Sequence, residues 1–394
     1  MKKLILFSLS LALNASADWP QFRGPQGNGV TTDKNLPVTL SPKSLKWSVE
    51  LPGRGLSGAI VMGDKVIVTC SSGPTQTRLH VICVSAKDGS TIWHRQFWAT
   101  GRTMCHSKTS VAAPTPCSDG KLVYAVYSSN DVVCLDLDGN LQWLRGLTAD
   151  YANVSNSLGM SSSPVVSGGT LVVQVENDSE SYTLGLAKGS GINRWRLNRP
   201  KAANWTSPVV LRKGLVALQS SKGVHAVRAG DGTKAWSYDD GASTIPSSAI
   251  FDGVLYVPSR GITALELNKG DAANTPKQLW QSSRLSPATA SPIVMGDMVF
   301  TVNRAGVLTA GSRIEGNRLW QTRLKGPFSA TPVVAGKHLY FFNEAGLVQV
   351  VDVSGKEGKI VGTLELKDQI LGSPAVGGGA LYVRSNAKLF KVAK

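Results

Sequence analysis

The sequence has few charged residues, and it has only one long apolar run. These two features limit the classes of protein to which it can belong. Charged residues make up 17% of the 394-residue chain, against roughly 25% in an average soluble domain. The single apolar run, residues 4–13, excludes a protein that crosses a membrane many times. Glycine is plentiful, with 41 residues. This composition argues against a helical bundle and against disorder, and favours many short strands joined by tight turns.

The apolar run predicts a signal peptide. Lys2 and Lys3 precede it, and the sequence Asn-Ala-Ser-Ala follows, ending at Ala17. A basic start, a short apolar stretch and small residues at the cleavage point are typical of secretory signals. The alternative is a membrane anchor, but ten residues are too short to span a bilayer. We therefore expect residues 1–17 to be removed and the protein to be periplasmic or secreted. No cysteine stands at the cleavage point, so we expect neither a lipid anchor nor a transmembrane segment.

The chain carries a formal charge of +16, of which Lys2 and Lys3 supply two. An excess of this size favours contact with anionic surfaces such as phospholipid headgroups or polyanionic glycans. Simple solubility is the alternative explanation. No run of five lysines or arginines occurs, and no nucleic-acid-binding module is recognisable, so no specific nucleic acid partner is expected.

The cysteines do not form a cofactor or metal motif. All five lie in the first 134 residues, and neither a CxxC pair nor two adjacent cysteines occur. Cys83 and Cys134 stand in apolar runs and are predicted to be small buried side chains. A bridge between Cys105 and Cys117 stays open, because spacing alone cannot establish it.

The chain repeats itself. A tryptophan recurs every 40–52 residues, in most copies four residues after a glycine; the series is Trp47, Trp93, Trp143, Trp195, Trp236, Trp280 and Trp320. A Ser/Thr-Pro pair followed by an apolar strand lies between successive tryptophans, and Ala59 and Ser248 replace the proline in two degenerate copies. This landmark occurs eight times. Four strands per repeat of this length predict a β-propeller. The tryptophans are predicted to pack between blades.

The two ends of the chain complete the ring. The last repeat has three strands, and the first has a spare strand at 45–51 before its own landmark. The sequence therefore predicts an all-β, eight-bladed propeller over 45–394, closed by an N-terminal strand that completes the last blade. Residues 18–44 are rich in proline and glycine and are expected to form an arm against the ring.

The repeat SPVV…G-x-LVV…L…G-x3-W resembles the pyrroloquinoline-quinone (PQQ)-like propeller repeat. The opening DWPQFRGP, the segment NDSES (177–181) and the last repeat resemble a secreted subgroup of proteins similar to BamB-type outer-membrane assembly factors. The resemblance covers 45–394 and is specific for fold, whereas one fold hosts many functions. BamB-type proteins are exported, eight-bladed and non-catalytic, which implies a protein-binding or assembly scaffold with partners in the cell envelope.

The same repeat also occurs in quinoprotein dehydrogenases, which use PQQ with calcium. That branch implies adjacent cysteines and a calcium set of Glu, Asn and Asp, and neither can be placed in this sequence. A PQQ-dependent oxidoreductase is therefore the alternative, and a polyanion-binding module is a third hypothesis. The sequence predicts no catalytic residue and no metal site, and we expect a monomer.

Ligands of propellers usually lie on the face that carries the loops between the second and third strands and the connections between blades. Cations outnumber acids among the side chains predicted for this loop face. Such a face could receive a carboxylate or phosphate, or these residues are only turn formers and solvated loop tips. The candidates are Arg102, His106, Lys108, Asn177, Asp178, Lys222, Arg260, Arg304, Asn343, Glu344 and Arg384.

Overall fold

Short apolar segments and glycine turns alternate along the chain and fold into small antiparallel sheets arranged as a ring. The computed structural model describes residues 18–155, 157–267 and 275–394, so the predicted signal peptide lies outside the described residues. Within these ranges the strands form eight sheets, each a blade of the predicted propeller. None of the helices in the described part of the chain is long and apolar enough to cross a membrane.

Blades 1 to 4 follow one another along the chain, and each is given from its innermost to its outermost strand. Blade 1 consists of Ile60–Met62, Lys65–Ser72, Arg78–Ser85 and Thr91–Trp98. Blade 2 consists of Cys117–Ser118, Leu122–Val126, Asp131–Asp136 and Leu141–Gly146. Blade 3 consists of Val165–Ser167, Thr170–Val175, Tyr182–Ala187 and Asn193–Asn198. Blade 4 consists of Val209–Arg212, Leu215–Ser220, Gly223–Arg228 and Lys234–Tyr238.

Blades 5 to 7 continue in the same order. Blade 5 consists of Ala249–Phe251, Val254–Ser259, Gly261–Glu266 and Lys277–Ser282. Blade 6 consists of Ile293–Met295, Met298–Val302, Val307–Ser312 and Arg318–Arg323. Blade 7 consists of Val333–Ala335, His338–Phe342, Leu347–Asp352 and Lys359–Glu365. Short 3-10 helices occur at Pro42–Ser44 and Leu147–Ala149.

Blade 8 joins the two ends of the ring, as the sequence predicted. Its inner strands are Ala375–Gly377, Ala380–Arg384 and Lys388–Ala393, and its outermost strand is Leu45–Glu50. Leu45 pairs with Val392 and Glu50 pairs with Lys388 in an antiparallel register. The N-terminal strand therefore closes the propeller, and the ring has no open edge between its first and last blades.

The position of a strand in its blade decides its sequence pattern. Every residue of Thr170–Val175, a second strand, is buried, whereas Leu45–Glu50 alternates between half-buried and exposed residues. Strands covered on both faces are apolar throughout, and strands with one face in solvent alternate. The core is therefore distributed as apolar layers between neighbouring blades.

Each repeat tryptophan packs against the next blade. Trp93 of blade 1 donates from its indole nitrogen to the carbonyl of Leu137 in blade 2, at 2.9 Å. Its ring lies against Gly139, where a Cβ atom would come within 2.7 Å of it. Trp143, Trp195 and Trp280 make the equivalent hydrogen bond to the following blade. The glycine of each Gly-x3-Trp motif thus contacts the indole of the preceding blade. The tryptophan of the same motif contacts the following blade.

The arm, residues 18–44, runs across the ring. Trp19 exchanges two backbone hydrogen bonds with Val61 of blade 1. Farther along, Val30–Thr31 pairs in parallel with Val333–Ala335 and adds a fifth strand to blade 7. Asp33 then accepts a hydrogen bond from the backbone of Gly379 in blade 8, at 2.7 Å. The arm is therefore ordered and contacts several blades before it enters blade 8.

The five cysteines are free thiols. Cys70, Cys83, Cys117 and Cys134 are buried, and burial raises the pKa of Cys70 to about 11 and that of Cys83 to about 12. The structure thus does not contain the Cys105–Cys117 bridge that the sequence left open.

Candidate functional site

Two long connections on the loop face pack together into what we call the lip, which we define as residues 99–110, 150–155 and 157–160. Arg102 of the first connection donates to the Ser155 hydroxyl of the second, at 2.8 Å. The backbone nitrogen of His106 donates to the carbonyl of Leu158, at 3.1 Å. Two apolar side chains of the lip stay in solvent, since Met104 is 55% exposed and Leu158 is 41% exposed. The lip therefore offers apolar and cationic groups side by side.

A cavity of about 390 Å³ lies beside the lip and is lined by residues from every part of the ring. This volume is within the range of small-molecule sites. Its apolar lining is Phe22, Leu56, Ala113, Leu158, Trp205, Ile245 and Leu371. Its polar lining includes His106, Lys108, Thr109, Glu344 and a ring of serine and threonine residues.

That ring of residues forms what we call the hydroxyl belt: Thr115, Ser163, Ser207, Ser247, Ser291, Thr331 and Ser373. In each step of the belt, a backbone N–H of one blade donates to the side-chain hydroxyl of the next blade. The first donor is Gly58 of blade 1, at 2.8 Å from the Thr115 hydroxyl. The belt links the innermost parts of neighbouring blades around the cavity.

The belt hydroxyls keep their own hydrogens available. Each oxygen accepts a backbone N–H, and among the described residues none of the seven hydroxyls donates to a protein acceptor. A hydroxyl can donate one hydrogen bond while it accepts others. Since all seven line the cavity, the cavity wall is rich in donors.

The cationic side of the cavity is held by an ion pair across its mouth. The Lys108 ammonium lies 3.0 Å from the Glu344 carboxylate, which joins the lip to blade 7. The second Glu344 oxygen accepts from the Ser329 hydroxyl at 2.7 Å. His106 accepts the backbone N–H of Lys108 on Nδ1 at 3.1 Å. This bond leaves Nε2 as the ring nitrogen that can donate to a ligand.

The arm also contributes to the cavity wall. Phe22 lies in the cavity lining, and the neighbouring Arg23 is buried with its guanidinium bonded to the carbonyls of Ser248 and Pro292, at 2.7 and 2.9 Å. Burial lowers the pKa of Arg23 to about 9. The arm therefore supplies Phe22 to the cavity wall and is held in place beside it by the buried Arg23.

A buried ion pair holds the connection that carries Trp205. Arg199 and Glu176 are 2.5 Å apart, with side chains only 2% and 1% exposed. Burial raises the pKa of Glu176, and the charge of Arg199 opposes this shift. Asn204 donates to the other Glu176 oxygen at 2.9 Å. Because Asn204 directly precedes Trp205, this network fixes the start of the aromatic wall of the cavity.

The structure brings together three of the predicted site residues, His106, Lys108 and Glu344, at the cavity. Arg102 lies in the lip. The other exposed candidates are spread over separate loop tips and do not meet at the cavity; they are Asp178, Lys222, Arg260 and Arg304. Arg260 lies 3.8 Å from the Asp240 carboxylate.

Three candidates have internal structural roles. Asn177 is buried and bonds to the Glu180 carbonyl within its own turn. Asn343 is also buried, and its amide donates to the Lys325 carbonyl at 3.0 Å. Arg384 was expected on the loop face, and its burial corrects that expectation. It is 0% exposed and bonds to the carbonyls of Ser385 and Gly53, and burial lowers its pKa to about 10.

The lining of the cavity does not match what calcium-bound PQQ would need. Calcium takes six to eight oxygen ligands, several of them carboxylates. Of the described residues that line the cavity, Glu344 is the only carboxylate, and both of its oxygens are engaged. The described residues also contain no group of three or more His, Cys, Asp or Glu side chains placed to hold a metal ion.

Sequence reasoning missed the hydroxyl belt, Trp205 and the buried Arg23. The belt had a visible signal, because it is the Ser or Thr that precedes the proline landmark in six repeats. The hydrogen bond that this residue makes could not be predicted, since the donor to each hydroxyl lies 40–57 residues earlier in the chain. Trp205 stands outside the tryptophan series and carried no signal of its own.

The sequence matches the profile of a known protein family. The profile of the family described as outer membrane protein assembly factor BamB matches residues 28–238, 155–275 and 269–389. The chain belongs to this family. A curated relative, the outer membrane protein assembly factor BamB of Moranella endobia (strain PCIT), is 24% identical over 212 residues, which are 53% of this chain and 50% of the relative. The aligned part thus spans about half the length of that relative.

Solved structures of BamB and of dehydrogenases share the fold. BamB from Moraxella catarrhalis has a TM-score of 0.66 at 19% identity, covering 89% of this chain and 97% of its own. A europium-containing methanol dehydrogenase has a TM-score of 0.73 at 12% identity, covering 96% and 98%. Quinohemoprotein alcohol dehydrogenase from Comamonas testosteroni has a TM-score of 0.70 at 11% identity, covering 96% and 81%. At these identities the likeness extends to the fold alone.

Proposed function

We propose that this BamB family member is an exported, non-catalytic scaffold that binds a protein partner in the cell envelope. The family match over residues 28–389 carries this proposal. The basic and apolar start of the chain, residues 1–17, supports export. The cavity supports a non-catalytic role, because Glu344, the one carboxylate among its described lining residues, is committed to an ion pair and a hydroxyl.

The lip is the surface that we assign to the partner. Protein interfaces need apolar side chains that solvent reaches in the free protein, with charged groups at the rim. Met104 and Leu158 supply the apolar part, and Arg102 lies beside them with its guanidinium on Ser155. Because the two connections brace each other, the surface is held in one shape before a partner arrives.

A binding experiment with matched variants tests the scaffold role. The mature protein is immobilised, and membrane extracts of the native cells are passed over wild type, Met104→Asp and Ile314→Asp. Ile314 is 71% exposed in a turn of blade 6, so it is an equally apolar control outside the lip. We expect a partner that wild type and I314D retain and M104D loses. Equal retention by all three proteins, or no retained protein, would contradict the assignment.

Export is tested separately by the N-terminus of the protein in cells. The full-length chain is expressed with a C-terminal tag, and its N-terminal residue and its compartment are determined by mass spectrometry and cell fractionation. We expect a chain that begins at Asp18 and is released with the envelope fraction. A chain that keeps residues 1–17 and stays in the cytoplasm would refute export while leaving the partner experiment intact.

A further inference from the structure

The cavity wall carries many hydrogen-bond donors whose hydrogens make no bond to the described part of the protein. Seven belt hydroxyls line it, and in the described part of the chain each of them accepts a backbone N–H without donating to the protein. The His106 ring adds a donor at Nε2, because its Nδ1 accepts a backbone N–H, and Lys108 adds an ammonium group at the mouth. Glu344 is the only carboxylate in the described lining. A wall of this kind favours a ligand that accepts several hydrogen bonds and carries negative charge.

The belt is a built feature of the fold. Six of its seven residues are at least 94% buried, and Thr331, for example, is 3% exposed. The backbone N–H bonds fix each hydroxyl oxygen at 2.8–3.1 Å from its donor. The oxygens are therefore held in place, and their hydrogens are left to point towards an acceptor inside the cavity.

The remaining lining is apolar and includes one large aromatic side chain. Trp205 is half-buried, and Leu56, Ala113, Ile245 and Leu371 also contribute to the wall. Phe22 of the arm also lines the cavity. A highly hydrated anion such as sulfate would leave this surface unused, whereas a ligand with both an apolar body and an acidic group uses the whole wall.

We propose that the cavity binds an organic carboxylate with an apolar body, its acidic group towards the belt and Lys108. The carboxylate accepts from belt hydroxyls and attracts the ammonium of Lys108, while its apolar body packs against Trp205 and the neighbouring aliphatic side chains. Two sources have this chemistry, a free organic acid and the C-terminal end of a peptide. This site adjoins the lip assigned to the partner and shares His106, Lys108 and Leu158 with it. Its test with small ligands nevertheless does not involve the envelope partner.

Separate substitutions of the two partners in the Lys108–Glu344 ion pair test the proposal. A bound carboxylate competes with Glu344 for the Lys108 ammonium. Lys108→Gln removes the cation and should weaken binding, whereas Glu344→Gln frees the cation and should strengthen it. A purely structural role for the ion pair would move both variants in the same direction. Lys65→Gln is the matched control, since Lys65 forms an ion pair of similar length, 2.9 Å, with Asp138 outside the cavity.

The experiment is calorimetric titration of the mature protein with phenylacetate, phenylacetamide and phenethylamine, which share one apolar body. We expect saturable binding of phenylacetate and at least roughly tenfold weaker binding of the amide and the amine. K108Q should weaken phenylacetate binding, E344Q should strengthen it, and K65Q should leave it at the wild-type value. Quenching of fluorescence by phenylacetate should be lost in Trp205→Phe, which places the ligand in the cavity.

A dipeptide ending in phenylalanine, as free acid and as C-terminal amide, distinguishes the two sources. If the free-acid dipeptide binds more tightly than phenylacetate, the natural ligand is the C-terminal end of a peptide. If phenylacetate binds more tightly, the natural ligand is a free organic acid. Both results support the carboxylate site. The proposal is overturned if phenylacetate shows no saturable binding, if acid and amide bind equally, or if K108Q and E344Q change the affinity in the same direction. None of these outcomes depends on whether an envelope partner is found.

Discussion

Single glycines decide how closely neighbouring blades approach. Gly139 has a φ of 82°, and a Cβ atom there would lie 2.7 Å from the Trp93 ring. Gly120 in the same blade has a similar φ of 90°, and a Cβ atom there would meet nothing within 4 Å. The two positions therefore share the backbone requirement and differ only in the interblade contact.

Replacing these glycines by alanine should separate the two effects. Both substitutions place a side chain in the left-handed region and should cost about 1 kcal/mol of stability. Gly139→Ala should cost a further 1–3 kcal/mol, approximately, because the indole of Trp93 must move. Urea unfolding of both variants measures the difference. Equal losses of stability in the two variants would show that packing of the Trp93 indole does not require a glycine at position 139.

Two histidines of blade 1 predict how acid affects stability. His80 Nδ1 lies 2.9 Å from His94 Nε2, and burial, with the nearby His94 and Arg78, lowers the pKa of His80 to about 4. Burial also lowers the pKa of His94. The unfolded chain binds a proton at His80 near its ordinary pKa of about 6.5, while the folded protein does not until about pH 4. Stability should therefore fall as the pH drops through this window.

The His80→Gln variant tests this pH dependence. It should lose less stability than wild type between pH 6.5 and 4, with a difference of roughly 1–3 kcal/mol. His94→Gln should lie between the two, because it removes one of the causes of the shift. Urea unfolding at several pH values gives the comparison, and parallel curves for wild type and H80Q would refute it.

At the scale of structural elements, the hydroxyl belt joins blades that lie next to each other in the ring. The Ser291 hydroxyl accepts the buried backbone N–H of Ser247 at 3.0 Å. Ser291→Ala should leave this N–H without its partner and cost about 1–3 kcal/mol. Ser283→Ala, at an exposed serine in the connection after blade 5, should change stability by less than about 0.5 kcal/mol. Thermal unfolding of both variants provides the measurement, and an unchanged melting temperature for S291A would contradict the role of the belt.

The elements show why some features could be predicted from the sequence and others could not. Strand order, blade number and ring closure follow from patterns within one repeat, such as the spare strand at 45–51 and the three-stranded last repeat. The hydroxyl belt is different, because the donor to Ser207, for example, is Ser163 in the preceding blade. A contact between repeats depends on how the blades stack, which no local pattern encodes.

The candidate site was predicted in part for the same reason. Loop position predicted Lys108 and Glu344 for the same face, and in the structure these two distant residues lie 3.0 Å apart. Arg384 stands at the end of a second strand, where exposure was expected, yet it lies between blade 8 and the segment at Gly53. Whether a loop residue faces solvent or a neighbouring blade depends on the packing of segments far apart in the sequence.

At the scale of the whole molecule, the excess of positive charge is distributed over both faces of the ring. Lys222, Arg304 and Lys325 are exposed on the loop face, and Lys87, Lys121 and Lys213 are exposed in turns on the opposite face. Interaction with a polyanion through this general field should depend on total charge and weaken as salt screens it.

Heparin chromatography with two triple variants tests how the charge acts. Replacing either set of three cations by glutamine should lower the salt concentration at which the protein elutes by a similar amount. The two decreases should be similar because both variants lose the same charge and neither set of cations forms a separate polyanion-binding site. A much larger effect of the loop-face set would instead indicate a localised polyanion site.

Calcium and PQQ provide a second test of the whole molecule. Because the cavity lining described here supplies one committed carboxylate, calcium should leave the melting temperature unchanged, both alone and in the presence of PQQ. A calcium-dependent rise that saturates with PQQ would contradict this expectation and favour the oxidoreductase alternative. A known quinoprotein serves as the positive control.

The closure of blade 8 also has a consequence for the order of events during synthesis. Leu45–Glu50 can find its partner only after Lys388–Ala393 has been made, so the first blade strand to leave the ribosome waits for the last. Until then the growing chain cannot complete the ring, whichever blades have already formed. Under the proposed export, this delay keeps the chain from reaching its final closed shape until translation has reached the end of the last strand.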